Sequence, residues 1–215
     1  MTAGPHAPRL RAMATDVPIR CSCGKLRGVA RGVAPDAGTH IVCYCNDCQA
    51  FARFLGGDDV LDIHGGTHIF HMAPAKLHLD DTDAMRCVRL SEKGMYRWYC
   101  GSCKTPVGNT LGPRVPFVGV IGAILDYAST GRTRDDLLGK PRYFETRSAI
   151  GDAPKSASTA RLVARSARKM AKWWLTGGGN PSPFLDPQTR EPRVTPQVLT
   201  ASERQALRGA NEARR

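Results

Sequence analysis

The chain has 215 residues, of which 41% are hydrophobic and 23% are charged. This composition is typical of a folded globular protein and excludes a wholly disordered one. No apolar run approaches the ~20 residues that a membrane-spanning helix needs. The formal net charge is +12, and from Lys155 onward twelve Lys and Arg stand against four Asp and Glu. The basic excess therefore lies mostly in the C-terminal quarter.

Residues 1–16 are predicted to be disordered, because their first fourteen positions are rich in Pro, Gly, Ala and Arg. They lack the continuous apolar segment of a secretory signal peptide. We therefore expect a cytoplasmic protein. In that reducing compartment, clustered thiols are more often metal ligands than disulfides.

Residues 17–125 alternate short β-prone runs with Gly, Pro and Asp, a pattern that predicts an antiparallel sheet and a mainly β fold. The candidate strands are residues 25–33, 39–43, 67–72, 85–90, 95–99 and 116–125. A short helix is predicted at residues 49–55, ended by Gly56-Gly57.

Residues 129–151 are predicted to be loop with short elements. The predicted β domain spans residues 17–150, and residues 151–215 are predicted to form a basic helical extension of it. A helix is predicted at 155–175, with one apolar face and one basic face. The apolar face would carry Leu162, Val163, Met170, Trp173 and Trp174, and the basic face Arg161, Arg165, Arg168, Lys169 and Lys172. Such a helix can pack on its own domain, pair with a partner or lie on an anionic membrane, and two adjacent Trp favour packing against protein.

After this helix, residues 180–196 are predicted to be a Pro-rich connector. A last short helix is predicted to begin at Thr200, where Thr200-Ala201-Ser202-Glu203 fits a capping box.

Seven of the eight cysteines lie in three tight groups with metal-ligand spacing. These groups are Cys21/Cys23, Cys43/Cys45/Cys48 and Cys100/Cys103. A disulfide would use two thiols of the central group and leave the third over, so a metal is the better partner. Joining the two outer pairs would connect the first strand to a late one, and we assign these four thiols to a structural zinc.

The central group has three thiols, and a zinc with three protein ligands keeps a position for water or substrate. Two alternatives remain open. Cys87 or one of the six histidines could complete this second site, or the cysteines could hold an iron–sulfur cluster, although the usual cluster spacing differs. The alternating run 85–90 favours Cys87 as a small buried apolar residue. His68 and His71 would project to opposite faces of a strand, and we do not assign His64, His68, His71 or His78 as ligands.

The motifs Cys21-Ser22-Cys23-Gly24, Cys43-x-Cys45-x-x-Cys48 and Tyr99-Cys100-x-x-Cys103 together resemble those of the glutathione-dependent formaldehyde-activating enzyme family, also called GFA/CENP-V. The resemblance covers residues 17–125. It implies an Mss4-like fold of antiparallel β-sheets around a structural zinc, and a second zinc on the central group. It also implies carbon–sulfur lyase activity, in which glutathione adds to formaldehyde or the adduct is cleaved. Some relatives are binding or chromosome-associated proteins.

The chain departs from the family pattern at three positions. Tyr44 stands where His is common, Gln49 where a basic residue is common, and Lys104 where Gly is usual. The first two departures bear on which thiol is used. The third predicts a non-Gly residue in the tight turn after Cys103, with some backbone strain.

An open zinc would lower the pKa of a substrate thiol from about 8.5 and so supply a thiolate that attacks an aldehyde. Candidate donors to the developing alkoxide are Asn46, Gln49 and Thr105. Arg53, Arg97 and Lys104 are candidate partners of substrate carboxylates, or else ordinary surface cations. The competing hypothesis is a zinc-stabilised binding module whose basic C-terminal helix contacts nucleic acid or another anionic partner.

Overall fold

The computed structural model describes residues 13–57 and 59–209. The elements, in chain order, are β1 (Thr15–Arg20), β2 (Arg27–Val33), β3 (Thr39–Cys43), α1 (Asn46–Phe54), β4 (Thr67–Met72), β5 (Leu77–Leu79), β6 (Met85–Arg89), β7 (Tyr96–Cys100), β8 (Pro106–Thr110), β9 (Val118–Ile121), α2 (Arg134–Leu138), β10 (Arg142–Phe144), α3 (Thr159–Leu175), β11 (Gln197–Val198) and α4 (Ala201–Gly209). Short 3₁₀ turns connect several of them. The prediction of a mainly β fold with C-terminal helix is confirmed.

The strands form two sheets. A three-stranded antiparallel sheet has the order β1-β2-β5, and a larger sheet has the order β10-β3-β4-β9-β8-β7-β6-β11. Within the larger sheet, the six central strands β3, β4, β9, β8, β7 and β6 pair with one another in antiparallel fashion, as predicted for residues 17–125. The outermost strands β10 and β11 pair in parallel with β3 and β6, so the larger sheet is mixed.

Strand alternation gives the larger sheet two buried faces. One face carries Phe70, Trp98 and Val120 and packs on Val17 and Ile19 of the smaller sheet, forming the main core. The opposite face carries Ile41, Ile69 and Ile121, and Leu162 of α3 packs on these three side chains. Further along the same face, Phe51 of α1 packs with Val88 and Tyr99.

Several strands were missed by the sequence patterns. β1 begins at Thr15, inside the segment predicted to be disordered, while residues 1–12 of that segment lie outside the described residues. Its Pro18 is tolerated because β1 is an edge strand. β8 contains Pro106, Gly108 and Asn109, which are weak strand formers, yet all five of its residues are buried in the middle of the sheet. Tertiary packing therefore overrides local preference at these places.

The long C-terminal helix α3 starts at Thr159, later than predicted, and its faces differ from the predicted ones. Leu162 is its one buried residue. Arg165 and Lys169, predicted to face outward, are half-buried, and Lys169 Nζ donates to Asp36 O at 2.6 Å. Trp174, predicted on the packed face, is 71% exposed. The helix thus packs along a line rotated away from the Trp174 side.

The chain after α3 is part of the fold rather than a connector. Phe184 is fully buried, with its ring 5.0 Å from that of Trp98. β11 extends the larger sheet, and α4 packs on α1, where Arg53 Nη1 donates to Leu207 O at 2.8 Å and Arg208 pairs with Asp47. These contacts cross the predicted boundary at residue 150.

The predicted capping box at the start of α4 is confirmed, since Thr200 N donates to Glu203 Oε2 and Glu203 N donates to Thr200 Oγ1. Among the described helices, none is both long enough and apolar enough to span a bilayer.

Candidate metal centres

The structure brings the four outer cysteines together. Cys21 and Cys23 follow β1, Cys100 ends β7, and Cys103 lies in the turn before β8. Their sulfur atoms all lie within 4.8 Å of one another, with 3.5 Å between Cys21 and Cys23 and 3.7 Å between Cys23 and Cys100. Four thiolates at about 2.3 Å around a tetrahedral zinc would be about 3.8 Å apart. The donor set and its spacing therefore fit a structural zinc.

Hydrogen bonds hold this four-cysteine cluster from both sides. Leu26 N donates to Cys21 Sγ at 3.2 Å, and the Thr105 hydroxyl lies 3.2 Å from Cys103 Sγ. Burial acts to raise the pKa of Cys103, but hydrogen bonds from Ser22 and Thr105 outweigh it and lower the pKa to about 5. Both parts of the chain that supply the thiols thus present donors to sulfur, as thiolate ligands require.

Lys104 occupies the turn after Cys103 with φ of 61°, in the left-handed region. The predicted placement of a non-Gly residue in a strained turn is confirmed. Its ammonium lies 5.2 Å from the centroid of the Tyr99 ring, and its backbone N–H donates to Cys100 O at 2.8 Å. The backbone of Lys104 thus lies in the turn of the four-cysteine cluster, and its side chain lies over Tyr99, which packs on Phe51 and Phe54 of α1.

The central cysteines form a second cluster at the junction of β3 and α1. Cys43 ends β3, Cys45 caps α1, and Cys48 lies in its first turn, so a strand end followed by a helix turn brings all three together. Their sulfur atoms lie within 4.8 Å of one another, and Cys48 N donates to Cys45 Sγ at 3.4 Å. No fourth His, Cys, Asp or Glu joins the group within residues 13–57 and 59–209.

The alternatives for a fourth ligand receive no support from the described residues. Cys87 is buried in the core between the two sheets, as predicted, and burial raises its pKa to about 12. His64 Nδ1 bonds Ile150 O at 2.9 Å, and His78 is exposed beside Asp80. His68 and His71 lie on opposite faces of β4, as predicted, His68 next to His40 and His71 against the Phe117 ring.

Arg97 is a buried cation beside the three-cysteine cluster. The residue is 3% exposed, and its Nη1 lies 4.0 Å from Cys48 Sγ and 3.5 Å from Asn109 Oδ1. Its guanidinium carbon lies 5.4 Å from the Phe51 ring centroid. Within the described part of the chain it forms no ion pair with a carboxylate. A buried cation needs a counter-charge, and Cys48, as a thiolate, would supply it.

The electrostatics of Cys48 agree with this pairing, whereas the pKa values of Cys43 and Cys45 are raised. Hydrogen bonds from Cys43 and Cys45 hold the pKa of Cys48 well below its usual range, and the charge of Arg97 acts in the same direction. From the sequence, Arg97 was a candidate partner of a substrate carboxylate or a surface cation, and its burial beside Cys48 was not predicted. The usable signal was its position in Tyr96-Arg97-Trp98-Tyr99, where aromatic neighbours favour burial of the whole run.

The three predicted alkoxide donors lie in different surroundings, and only one of them is free to act at the three-cysteine cluster. Gln49 is buried, and its Nε2 already donates to Tyr44 O at 2.8 Å and Ser148 O at 2.9 Å. Thr105 lies at the four-cysteine cluster. Asn46 is exposed and directly follows Cys45, so it alone of the three is available at the three-cysteine cluster. Thr67, the cross-strand neighbour of Cys43, adds a buried hydroxyl that has no hydrogen-bond partner among the described residues.

Comparison with known families adds one assignment. A family model described as "Family of unknown function (DUF6151)" matches residues 13–190. The chain belongs to this family. The matched range contains both cysteine clusters and α3, and it ends before β11. No curated protein matches the chain.

Proposed function

We propose that the protein is a zinc-dependent catalyst of carbon–sulfur bond formation or cleavage, resembling S-(hydroxymethyl)glutathione synthase. A small thiol such as glutathione would bind at the three-cysteine cluster and add to an aldehyde such as formaldehyde, or the adduct would be cleaved. The observation that carries the proposal is the convergence of Cys43, Cys45 and Cys48 with no fourth protein ligand among the described residues. We also propose that each cluster binds one zinc and that the fold is Mss4-like.

Zinc at the three-cysteine cluster would leave a position for the incoming thiol and lower its pKa, so that thiolate forms at neutral pH. Three thiolates and Zn²⁺ carry a net charge of about −1, and the buried guanidinium of Arg97 offsets it. The N-terminus of α1, capped by Cys45, adds positive potential that favours a further thiolate.

The burial of the three sulfurs limits the direction of approach. Cys43 and Cys48 are buried and pack in one apolar cluster with Leu162 of α3, whereas Cys45 is partly exposed. A substrate thiol would therefore enter beside Cys45. The exposed amide of Asn46 would lie on that side and donate to the oxygen of the aldehyde.

In the addition, the thiolate sulfur forms a bond to the carbonyl carbon while the carbon–oxygen π bond becomes a lone pair on oxygen. The alkoxide then takes a proton, giving a hemithioacetal. The proton released by the substrate thiol balances this step, so no oxidant or reductant is needed.

The test uses full-length protein in which cobalt(II) replaces zinc. Two cobalt ions should bind, and glutathione should alter the absorption bands of one of them. Cys45→Ala should bind one cobalt whose bands do not respond, while the control Cys87→Ser should behave like the parent. Carbon NMR of formaldehyde with glutathione should show faster adduct exchange with the zinc protein than with Cys45→Ala. Equal exchange rates and unchanged bands would rule the proposal out.

A second candidate, a binding module for nucleic acid, is favoured by the exposed side of α3. Arg161, Arg168 and Lys172 are exposed on it, next to an apolar strip that contains Val163 and Trp174. Duplex DNA titrated into the protein should then bind with a steep salt dependence. Changing the three cations to Gln should abolish that binding, and DNA binding without any response to glutathione would favour this candidate over the enzyme.

A further inference from the structure

Exposed apolar side chains gather where the C-terminal end of α3 meets the loop between β8 and β9. Trp174 and Val115 line one cleft there, and Arg190 Nη2 donates to Pro113 O at 3.1 Å, which holds the loop. The large exposed apolar residues of α3 and this loop are Leu111, Val115, Val163, Trp174 and Leu175. They are five of the eight in the described chain, so its exposed apolar surface is concentrated here.

The exposed side of α3 carries an apolar stripe beside a basic one. Residues three, four or seven apart lie on the same side of a helix. The apolar stripe therefore consists of Val163, Ala167, Ala171 and Trp174, all exposed. The basic stripe consists of Arg161, Arg168 and Lys172, also exposed. These two stripes, together with Leu175 and residues 111–115, form what we call the Trp174 surface.

The Trp174 surface is positively charged. Residues 153–185 contain six Lys and Arg and no Asp or Glu. Arg114 and Arg190 add two cations to the cleft beside Trp174, and the described residues that line this cleft include no acid. The carboxylate of Asp36 acts on Lys169, which lies on the packed side of the helix. The exposed cations therefore have no acidic neighbour on α3 or among those lining residues.

The combination of an apolar and a basic stripe decides which kind of partner fits. A second copy of the chain would bring like charges together, which opposes association. Duplex DNA attracts cations through its phosphates but offers an exposed apolar stripe little surface to bury. An anionic bilayer offers phosphates at its surface and acyl chains beneath them, and Trp side chains favour the boundary between the two.

We propose that the Trp174 surface docks on an anionic phospholipid bilayer. α3 lies in the plane of the bilayer surface with its apolar stripe toward the acyl chains. The basic stripe contacts lipid phosphates, and the loop inserts Leu111 and Val115 beside Trp174. This docking does not depend on the chemistry of either cysteine cluster.

The test is co-sedimentation of the full-length, metal-loaded protein with lipid vesicles. Phosphatidylcholine vesicles carry no net charge, and phosphatidylglycerol added to them makes the surface anionic. We expect binding to the anionic vesicles only, with a blue shift of Trp emission, because Trp174 leaves water while Trp98 is buried from the start. Raising the salt concentration should weaken binding, since salt screens the attraction between the cations and the lipid phosphates.

One pair of variants tests the basic stripe. Changing its three cations together to Gln should weaken binding by roughly a hundredfold, because each cation contributes at an anionic surface. The matched control changes three other exposed cations to Gln, namely Arg20, Arg31 and Lys93. It should keep most of the binding, because these side chains belong to neither α3 nor the loop. Equal losses in the two triple variants would reduce the effect to net charge and overturn the proposal.

A second set of variants tests the apolar stripe. Trp174→Ala should weaken binding by roughly tenfold, because less apolar surface is buried in the bilayer. The control Ile63→Ala, at an exposed apolar residue outside the Trp174 surface, should bind like the parent. Trp174→Phe should keep most of the binding and lose the blue shift.

Two results would contradict the proposal at this step. Trp174→Ala that binds vesicles like the parent would refute insertion of the apolar stripe. Binding to duplex DNA without binding to anionic vesicles would overturn the proposal and assign the basic stripe to nucleic acid.

Discussion

Solvent exposure and the number of protein ligands give opposite answers to which cysteine cluster is open to a substrate. The four-cysteine cluster lies near the surface, with Cys23 exposed, yet its four thiols leave no position for a substrate. The three-cysteine cluster is more buried, yet it lacks a fourth ligand among the described residues. The number of ligands, rather than solvent exposure, therefore decides which metal could take part in chemistry.

Their connections also differ. The four-cysteine cluster joins the turn after β1 to the β7–β8 turn, and Ser22 N donates to Thr105 Oγ1 across a sequence separation of 83 residues. The three-cysteine cluster draws its thiols from six consecutive positions. Loss of metal from the four-cysteine cluster should therefore unfold the protein. Loss of metal from the three-cysteine cluster should cause only a local change.

The largest expected effect is that of Cys23→Ala. Metal binding at a structural site is worth on the order of 10 kcal/mol, which is comparable to the whole stability of a domain. We expect unfolded or aggregated protein, measured by circular dichroism and metal content. A soluble variant with native melting behaviour would show that this cluster is not structural.

Cys45→Ala should instead give folded protein with one zinc and no thiol binding. The remaining contacts of α1, above all Phe51 against Val88 and Tyr99, do not depend on the metal. Thermal melting and metal analysis test this, and a collapse equal to that of Cys23→Ala would remove the distinction between the clusters.

Arg97→Met should cost about 3–5 kcal/mol of unfolding free energy in the zinc-loaded protein, because it leaves buried negative charge without a partner. In metal-free protein at low pH, where Cys48 is protonated, the cost should be smaller. Arg89→Met is the matched control, since Arg89 also stacks on an aromatic ring, that of Tyr96, outside both clusters. Denaturant melts of zinc-loaded protein and of metal-free protein at low pH give the comparison, and an equal cost of Arg97→Met in both would contradict the pairing with Cys48.

The smallest effect concerns the strained turn of the four-cysteine cluster. Lys104→Gly should stabilise the zinc-loaded protein by up to about 1 kcal/mol, because Gly adopts the left-handed conformation without strain. The lost contact with the Tyr99 ring opposes part of this gain. Lys104→Val, which cannot adopt this conformation easily, should destabilise it. Equal melting temperatures for Gly and Val would show that the turn is not strained.

The sequence predicted the local parts of this arrangement well. Cysteine spacing identified both clusters, because three of the thiols share one turn and each outer pair also lies in a tight turn. The strands at 39–43 and 67–72 were predicted with their observed bounds. Lys104 was predicted to be strained because its position follows the last cysteine of the motif.

The parts that could not be predicted depend on contacts between distant segments. Gln49 was a candidate donor, but its amide is used by Tyr44 and Ser148. Phe184 lies in a Pro-rich stretch that resembles a connector, and its burial against Trp98 depends on the path of the chain after α3. The His40–His68 pair follows from the register of β3 and β4, which spacing along the sequence does not encode.

The central claim, that the three-cysteine cluster holds a metal with a position open to a substrate thiol, is tested most directly by cadmium NMR. Full-length protein with cadmium in both clusters should give two resonances, one typical of four sulfur ligands and one of three sulfurs with a lighter ligand. Glutathione should move only the second resonance toward the four-sulfur value, and Cys45→Ala should remove that resonance alone. Two four-sulfur resonances that do not respond to glutathione would contradict the account.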